Sequence, residues 1–236
     1  MKSAGYTGTV YWGASLIGCT SSTTYNNALG KCSGNTTTTG CNNFAVGCGA
    51  LVALTTGNNN IGVGFRSLSN NTIGINNTAL GCNTLERNIT GNNNFAVGYQ
   101  ALQCNTCGSN NIGIGYGVLR NNTTGDDNIG LGACVMCGTS VGSKNIAIGR
   151  CTLTPGGGNC NIGIGYGAGK GLCGGCGNIA IGGSALCAMR QCAHNIAIGS
   201  SAMFCNVTSR YNIAIGYFSM RCGRTGCENI AFGKNS

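Results

Sequence analysis

Asn195-Ile196-Ala197-Ile198-Gly199 is followed 17 residues later by Asn212-Ile213-Ala214-Ile215-Gly216. The same phrase stands at Asn178 to Gly182, Asn161 to Gly165, Asn145 to Gly149 and Asn111 to Gly115. Weaker copies keep the phase at Asn77 to Gly81, Asn43 to Gly47, Asn26 to Gly30 and Thr9 to Gly13. The closing glycine thus recurs from Gly13 to Gly233 every 17 residues, with a single step of 16 between Gly149 and Gly165. A fixed short period means stacked copies of one small unit.

Counting the Asn as position 1, positions 2 and 4 are apolar, mostly Ile or Val, and positions 3 and 5 are Gly or Ala. Alternation at period two marks a strand with one packed face. A glycine in every turn of a helix would cost roughly 1 kcal/mol each relative to Ala, so a helix is excluded. A second short segment follows and ends in a small residue plus Leu or Met, as in Ala101-Leu102, Val118-Leu119 and Ala202-Met203. The remainder is Asn, Thr, Gly and Cys, which is turn chemistry. One repeat cannot bury a core alone, so the pattern predicts an all-β, parallel β-solenoid (β-roll) of about fourteen stacked 17-residue coils. Residues 1–236 form one solenoid domain in this reading, with 1–8 an incomplete first coil and 229–236 an incomplete last one. At about 4.8 Å per coil the rod would be roughly 65 Å long. Stacking in register places Asn on Asn, giving an amide ladder. The alternation assigns the core to Ile112, Ile114, Ile129, Leu131, Ile146, Ile148, Ile162, Ile164 and their equivalents. The position-5 glycine marks a corner with φ > 0, or a place where another backbone takes the room of a Cβ. The 16-residue step predicts a shortened loop near Pro155 without a break in the stack.

Composition narrows the class. The chain of 236 residues has 44 Gly, one Pro and 18 Cys, and is 42% hydrophobic but 7% charged. No Gly-X-Y triplet runs through it, which excludes collagen. Its apolar content argues against long disorder. A charged fraction far below the usual ~25% leaves the surface to Asn, Thr, Ser and backbone, or to cover by other subunits. The net charge is +9, with cations such as Arg66, Arg87, Arg120, Lys144, Arg150 and Lys170 spread about one per repeat. Nucleic-acid binding wants a clustered basic stripe with aromatics, so none is expected. Weak attraction to cell-surface glycans or matrix stays open. No apolar run approaches about 18 residues, and no membrane insertion is expected. No continuous apolar segment follows Lys2, so no secretory leader is read here. The cysteine density points instead to an oxidising setting, extracellular or on a virion surface.

The repeat Asn-Ile-Ala-Ile-Gly followed by Tyr-x-Ala-Leu resembles the head repeats of trimeric autotransporter adhesins, and similar repeats of phage and large-virus fibre proteins. Asn94 to Leu102, Asn111 to Leu119, Asn178 to Leu186, Asn195 to Met203 and Asn212 to Met220 carry the likeness, which extends more weakly over nearly the whole chain. The resemblance implies a left-handed parallel β-roll that trimerises and binds host matrix. The adhesin repeat is shorter, and those heads normally lack cysteines.

Most motifs that suggest chemistry dissolve into the repeat. Gly163 to Gly169 looks like a nucleotide-binding loop, but that fingerprint needs a helix after its strand. Cys104/Cys107, Cys134/Cys137 and Cys173/Cys176 have Cys-x-x-Cys spacing. His194 is the one histidine and no βαβ context exists, so structural disulfides are favoured over a metal or redox site. The acids are Glu86, Asp126, Asp127 and Glu228, and no catalytic set can be assembled from them. No enzyme activity, cofactor or metal is expected. Asn-x-Thr sequons occur at Asn35, Asn70, Asn76, Asn88, Asn121, Asn122 and Asn206.

Equivalent residues of adjacent coils lie about 4.8 Å apart, within reach of a disulfide. Cys205 and Cys222 share a repeat position, as do Cys134 and Cys151. Cys187/Cys192 and Cys222/Cys227 could instead close their own loops, so Cys222 has two candidate partners. Neither chain end resembles a cap, and the last coil stops almost where the first begins. A head-to-tail joint would bury Val10, Tyr11 and Trp12 against Ile230 and Phe232. The sequence therefore predicts a disulfide-reinforced structural fibre built by self-association, with a trimeric adhesin-like module as the alternative.

Overall fold

The computed structural model describes residues 25–34, 38–138, 142–172, 174–188, 192–204, 208–221 and 225–236, with Thr208 and Thr225 described by backbone only. The strands are β1 (Asn27–Leu29), β2 (Phe44–Val46), β3 (Ile61–Val63), β4 (Thr78–Leu80), β5 (Phe95–Val97), β6 (Ile112–Ile114), β7 (Ile129–Leu131), β8 (Ile146–Ile148), β9 (Ile162–Ile164), β10 (Ile179–Ile181), β11 (Ile196–Ile198), β12 (Thr208–Arg210), β13 (Ile213–Ile215), β14 (Thr225–Cys227) and β15 (Ile230–Phe232). Thirteen of them form one parallel sheet in chain order, while β12 and β14 pair separately. Register follows the repeat, as in Ile196↔Ile213 and Ala197↔Ala214. The chain is a β-solenoid, one sheet strand per coil. The short coil does not interrupt it, because Ile146 still pairs with Ile162 across the 16-residue step. The first repeat, Thr9 to Gly13, lies outside the described residues.

The core is the reverse of the one the alternation suggested. Position 3 points inward, and Ala79, Ala96, Ala147, Ala180, Ala197 and Ala214 are fully buried. The flanking Ile and Val side chains point outward. Ile112, Ile114, Ile148 and Ile164 are each more than a third exposed, and Ile129, Leu131, Ile146 and Ile162 are half-buried. The opposite wall explains the inversion. Leu68, Leu85, Leu102, Leu119, Leu186 and Met203 from position 9 are fully buried, with Val118 and Val135 from position 8. A Cβ placed on Gly130 would lie 2.6 Å from Val118 Cγ1, and one on Gly113 3.3 Å from Leu102 Cδ1. A coil this narrow already has its interior filled, and no isoleucine fits there. Each buried Leu contributes about 2–3 kcal/mol.

Buried asparagines close the coil. Asn111 donates from its backbone N–H and its Nδ2 to Asn94 Oδ1, at 3.0 and 3.1 Å, and from Nδ2 to Gly125 O at 2.8 Å. Asn128 repeats the pattern onto Asn111. The ladder runs from Asn26 to Asn229 and crosses the short coil at Asn145 and Asn161. A second buried ladder links Asn71, Asn88, Asn105 and Asn122. The corner glycine satisfies both reasons given for it. Gly199 has φ +128°, and a Cβ there would stand 2.5 Å from Gly216 O of the next coil.

Candidate functional site

The outward faces of the main sheet are the most conspicuous surface. Position 2 presents Phe44, Ile61, Phe95 and Ile112, and position 4 presents Leu29, Ile114, Ile148 and Ile164, all more than a third exposed. Asn27 and Thr78 alone among these outward positions are polar, and none is charged. The face is therefore an apolar strip along thirteen strands. Thirteen strands at about 4.8 Å give a length of roughly 60 Å. Position 6, just past the corner glycine, is mixed: it presents exposed Phe65, Tyr99, Tyr116, Tyr166 and Tyr217, and also Lys31, Arg150 and Lys234. Tyr99 and Tyr116 stack at 5.5 Å. Alternation in the sequence had located these side chains but assigned them to the interior.

On β15, the last strand in the sheet order, Ile230 and Phe232 are about two-thirds exposed. Val10, Tyr11 and Trp12, their expected counterparts, lie outside the described residues.

The cysteines decorate the turns. Cys32, Cys41, Cys48, Cys82, Cys104, Cys107, Cys134, Cys137, Cys151, Cys160, Cys176 and Cys227 are free thiols in this structure. The crosslinks expected through Cys104, Cys107, Cys134, Cys137, Cys151, Cys176 and Cys227 are thus not formed here. Cys173, Cys205 and Cys222 lie outside the described residues. Cys187 is half-buried, and Cys192 is buried with its Sγ accepting from Ser209 N–H at 3.3 Å. Cys134 and Cys151 do occupy one position of adjacent coils, bonded to Tyr116 O and Ala133 O respectively. Cys137 stands near both. Its burial, then the proximity of Cys134, pushes its thiol pKa above the ordinary value, against an opposing hydrogen bond with Thr154. Among the described residues no three His, Cys, Asp or Glu side chains form a set that could hold a metal ion.

The remaining candidates are structural. Gly163 and Gly165 belong to β9 and its corner, followed by a turn and not by a helix. Asp126 accepts from Ser109 N–H at 2.7 Å and Asp127 from Asn110 Nδ2 at 3.1 Å, so both acids extend polar ladders. Glu86 accepts from Gln103 and pairs with Arg66 at 3.6 Å. Among the sequons, Asn88 and Asn122 are buried in the second ladder, while Asn70 is exposed. Among the described residues no helix is long and apolar enough to cross a membrane. Compared with known protein-family models and with curated proteins, the chain matches none.

Proposed function

We propose that this chain is a non-enzymatic structural protein whose rods self-associate, side by side through the outward sheet face, into a fibre at an extracellular or virion surface. The apolar strip, broken only by Asn27 and Thr78 at its outward positions, carries this reading. A strip roughly 60 Å by 10 Å offers about 600 Å² per rod before the flanking tyrosines are counted, close to the ~800 Å² per partner of a standard interface. Monomeric proteins seldom leave so large an apolar patch in water. The occupant that fits is a second copy: identical rods share the 4.8 Å strand repeat, so Ile rows can interdigitate along the full length. The low charged fraction accords with a surface that is partly covered.

A second contact, end to end through exposed Ile230 and Phe232, would propagate because it does not close on itself. Oxidative pairing of the cysteines, such as Cys134 with Cys151, would reinforce the fibre. A discrete lateral trimer, as the adhesin likeness implies, is the assembly that remains if only the side contact forms.

The test is an Ile112→Lys/Ile148→Lys variant examined by light scattering and circular dichroism. Both side chains face outward, so the β spectrum should persist while the oligomer falls to monomers. A monomeric wild-type protein at high concentration refutes the proposal. An Ile230→Lys/Phe232→Lys variant should shorten filaments to lateral oligomers.

A further inference from the structure

The edge formed by repeat positions 14 to 17 changes character along the rod. From Asn42 to Asp127 position 17 is an exposed ladder of amides, each bonded to the next coil at 3.1–3.2 Å. Further along, the same column reads Lys144, Cys160, Gly177, His194, Tyr211 and Glu228. His194 and Tyr211 stack with ring centroids 5.2 Å apart and planes 7° from parallel. Gly177 makes the room: a Cβ there would fall 2.6 Å from His194 Nδ1. Beside the stack a recess of about 440 Å³ opens, floored by Gly174 and Gly175 and lined by Cys176, His194, Arg210 and Tyr211.

The backbone holds these residues in register. His194 N–H bonds Cys176 O at 3.0 Å and Tyr211 N–H bonds Ala193 O at 3.2 Å. Arg210 bridges to Ala193 and pairs with Cys227. Its guanidinium has no carboxylate within ion-pair distance among the described residues, although Glu228 donates its backbone N–H to Arg210 O. The recess thus offers the five donors of a guanidinium, an imidazole N–H and a phenol O–H, with no carboxylate among the described residues that line it.

We propose that this recess binds an acidic polysaccharide through an oxyanion, sulfate or carboxylate, borne on a sugar ring. The guanidinium takes the oxyanion in a forked, charge-assisted contact. The space far exceeds a lone oxyanion and lies within the range of pockets that hold small organic ligands. Among the described residues the recess is lined by one cation, Arg210, and not by the basic stripe that a nucleic-acid backbone wants. The polar tips of His194 and Tyr211 suit a hydroxylated ring better than an apolar ligand.

The experiment titrates the full-length protein with a sulfated heparin hexasaccharide, a hyaluronan hexasaccharide that carries carboxylates only, and inorganic phosphate. At least one hexasaccharide should bind, and Arg210→Gln should weaken it about tenfold or more. Arg87→Gln, which removes the same charge elsewhere on the rod, should change affinity less than about threefold. Bound sugar should also slow alkylation of the exposed Cys176 thiol, mapped by peptide, and leave exposed Cys107 unaffected. Sulfated or carboxylated probe alone binding would identify the oxyanion. Equal losses in Arg210→Gln and Arg87→Gln, absence of protection at Cys176, or phosphate binding as tightly as either sugar would overturn the proposal.

Discussion

Replacing Asn111 by Ala tests whether the buried amide ladder holds the coils in register. The variant keeps its own backbone N–H, so Asn94 Oδ1 retains one donor. Gly125 O retains Asn122 Nδ2 at 2.9 Å, and Asn128 Nδ2 retains Gly142 O. What is orphaned is the buried backbone N–H of Asn128, whose acceptor is Asn111 Oδ1. An unsatisfied buried donor costs about 1–3 kcal/mol. Three further bonds lose one end while the other end keeps a partner, adding about 1–2 kcal/mol in all. The loss should therefore be about 2–5 kcal/mol, toward the high end for a point substitution. Asn93→Ala supplies the contrast: it cuts two exposed rungs of the outer ladder, from Asn76 and to Asn110, at a left-handed φ of 56°, and should cost about 1–2 kcal/mol, most of it backbone strain. Urea unfolding followed by circular dichroism measures both. Equal midpoints would refute the reasoning, because water would then be replacing the inner ladder as readily as the outer one. Asn111→Asp sharpens the test through pH. A carboxylate there would face Asn94 Oδ1 and Gly125 O, two acceptors, in a buried site. Its folded-state pKa is raised above the unfolded value, so the charged form opposes folding. Stability should fall as pH rises from about 4 toward 7, the reverse of a salt-bridged Asp.

Other positions give further expectations. Gly199→Ala forces a side chain into φ +128° and against Gly216 O at 2.5 Å, so it should cost more than about 3 kcal/mol or abolish the fold, read by thermal melting. Cys137, whose thiol pKa is raised by burial and by Cys134, should be alkylated more slowly near neutral pH than exposed Cys107 and gain rate as pH rises; equal rates by peptide mapping contradict this. In a glycosylating host Asn70 should accept glycan while Asn88 and Asn122, fully buried, stay unmodified; mass spectrometry of the tryptic peptides decides it.

The period, the parallel register and the turn positions were legible because each repeats as a column. The glycine at position 5 and the asparagine at position 1 could be assigned from spacing alone. The facing of the strand was not, since Ile-Ala-Ile is an equally good alternation whichever set is buried. The discriminating signal lay in comparing copies within the chain. Position 3 is Ala or Gly in every strand, whereas position 2 accepts Asn27, Phe44 and Thr78. A column that tolerates Asn, Phe and Thr has no fixed volume to fill, and one restricted to Ala and Gly does. The His194–Tyr211 recess was less accessible, because it depends on Gly174 and Gly175 leaving space beside residues of two later coils.

The inversion also changes the problem that the sequence poses. A solenoid with isoleucine inside would be a self-sufficient rod, and its shortage of charge would be a solubility defect. With isoleucine outside, hydrophobic area and charge shortage become two aspects of one design. The Leu and Met column with its alanine facing stabilises each coil, and the amide ladder fixes the stacking. The isoleucines are then not needed for either. Their side chains pair only with copies of themselves along the sheet, leaving more than a third of Ile112, Ile114, Ile148 and Ile164 in water. In the proposed fibre, each methylene moved from water to a dry interface would contribute about 0.8 kcal/mol, set against an association cost of several kcal/mol. Under the proposed assembly, stability within the rod and association between rods would draw on different residues. Outward lysine substitutions should therefore separate the rods without unfolding them, while inward substitutions at Ala147 or Leu119 should do the opposite and unfold the rod before any interface is lost.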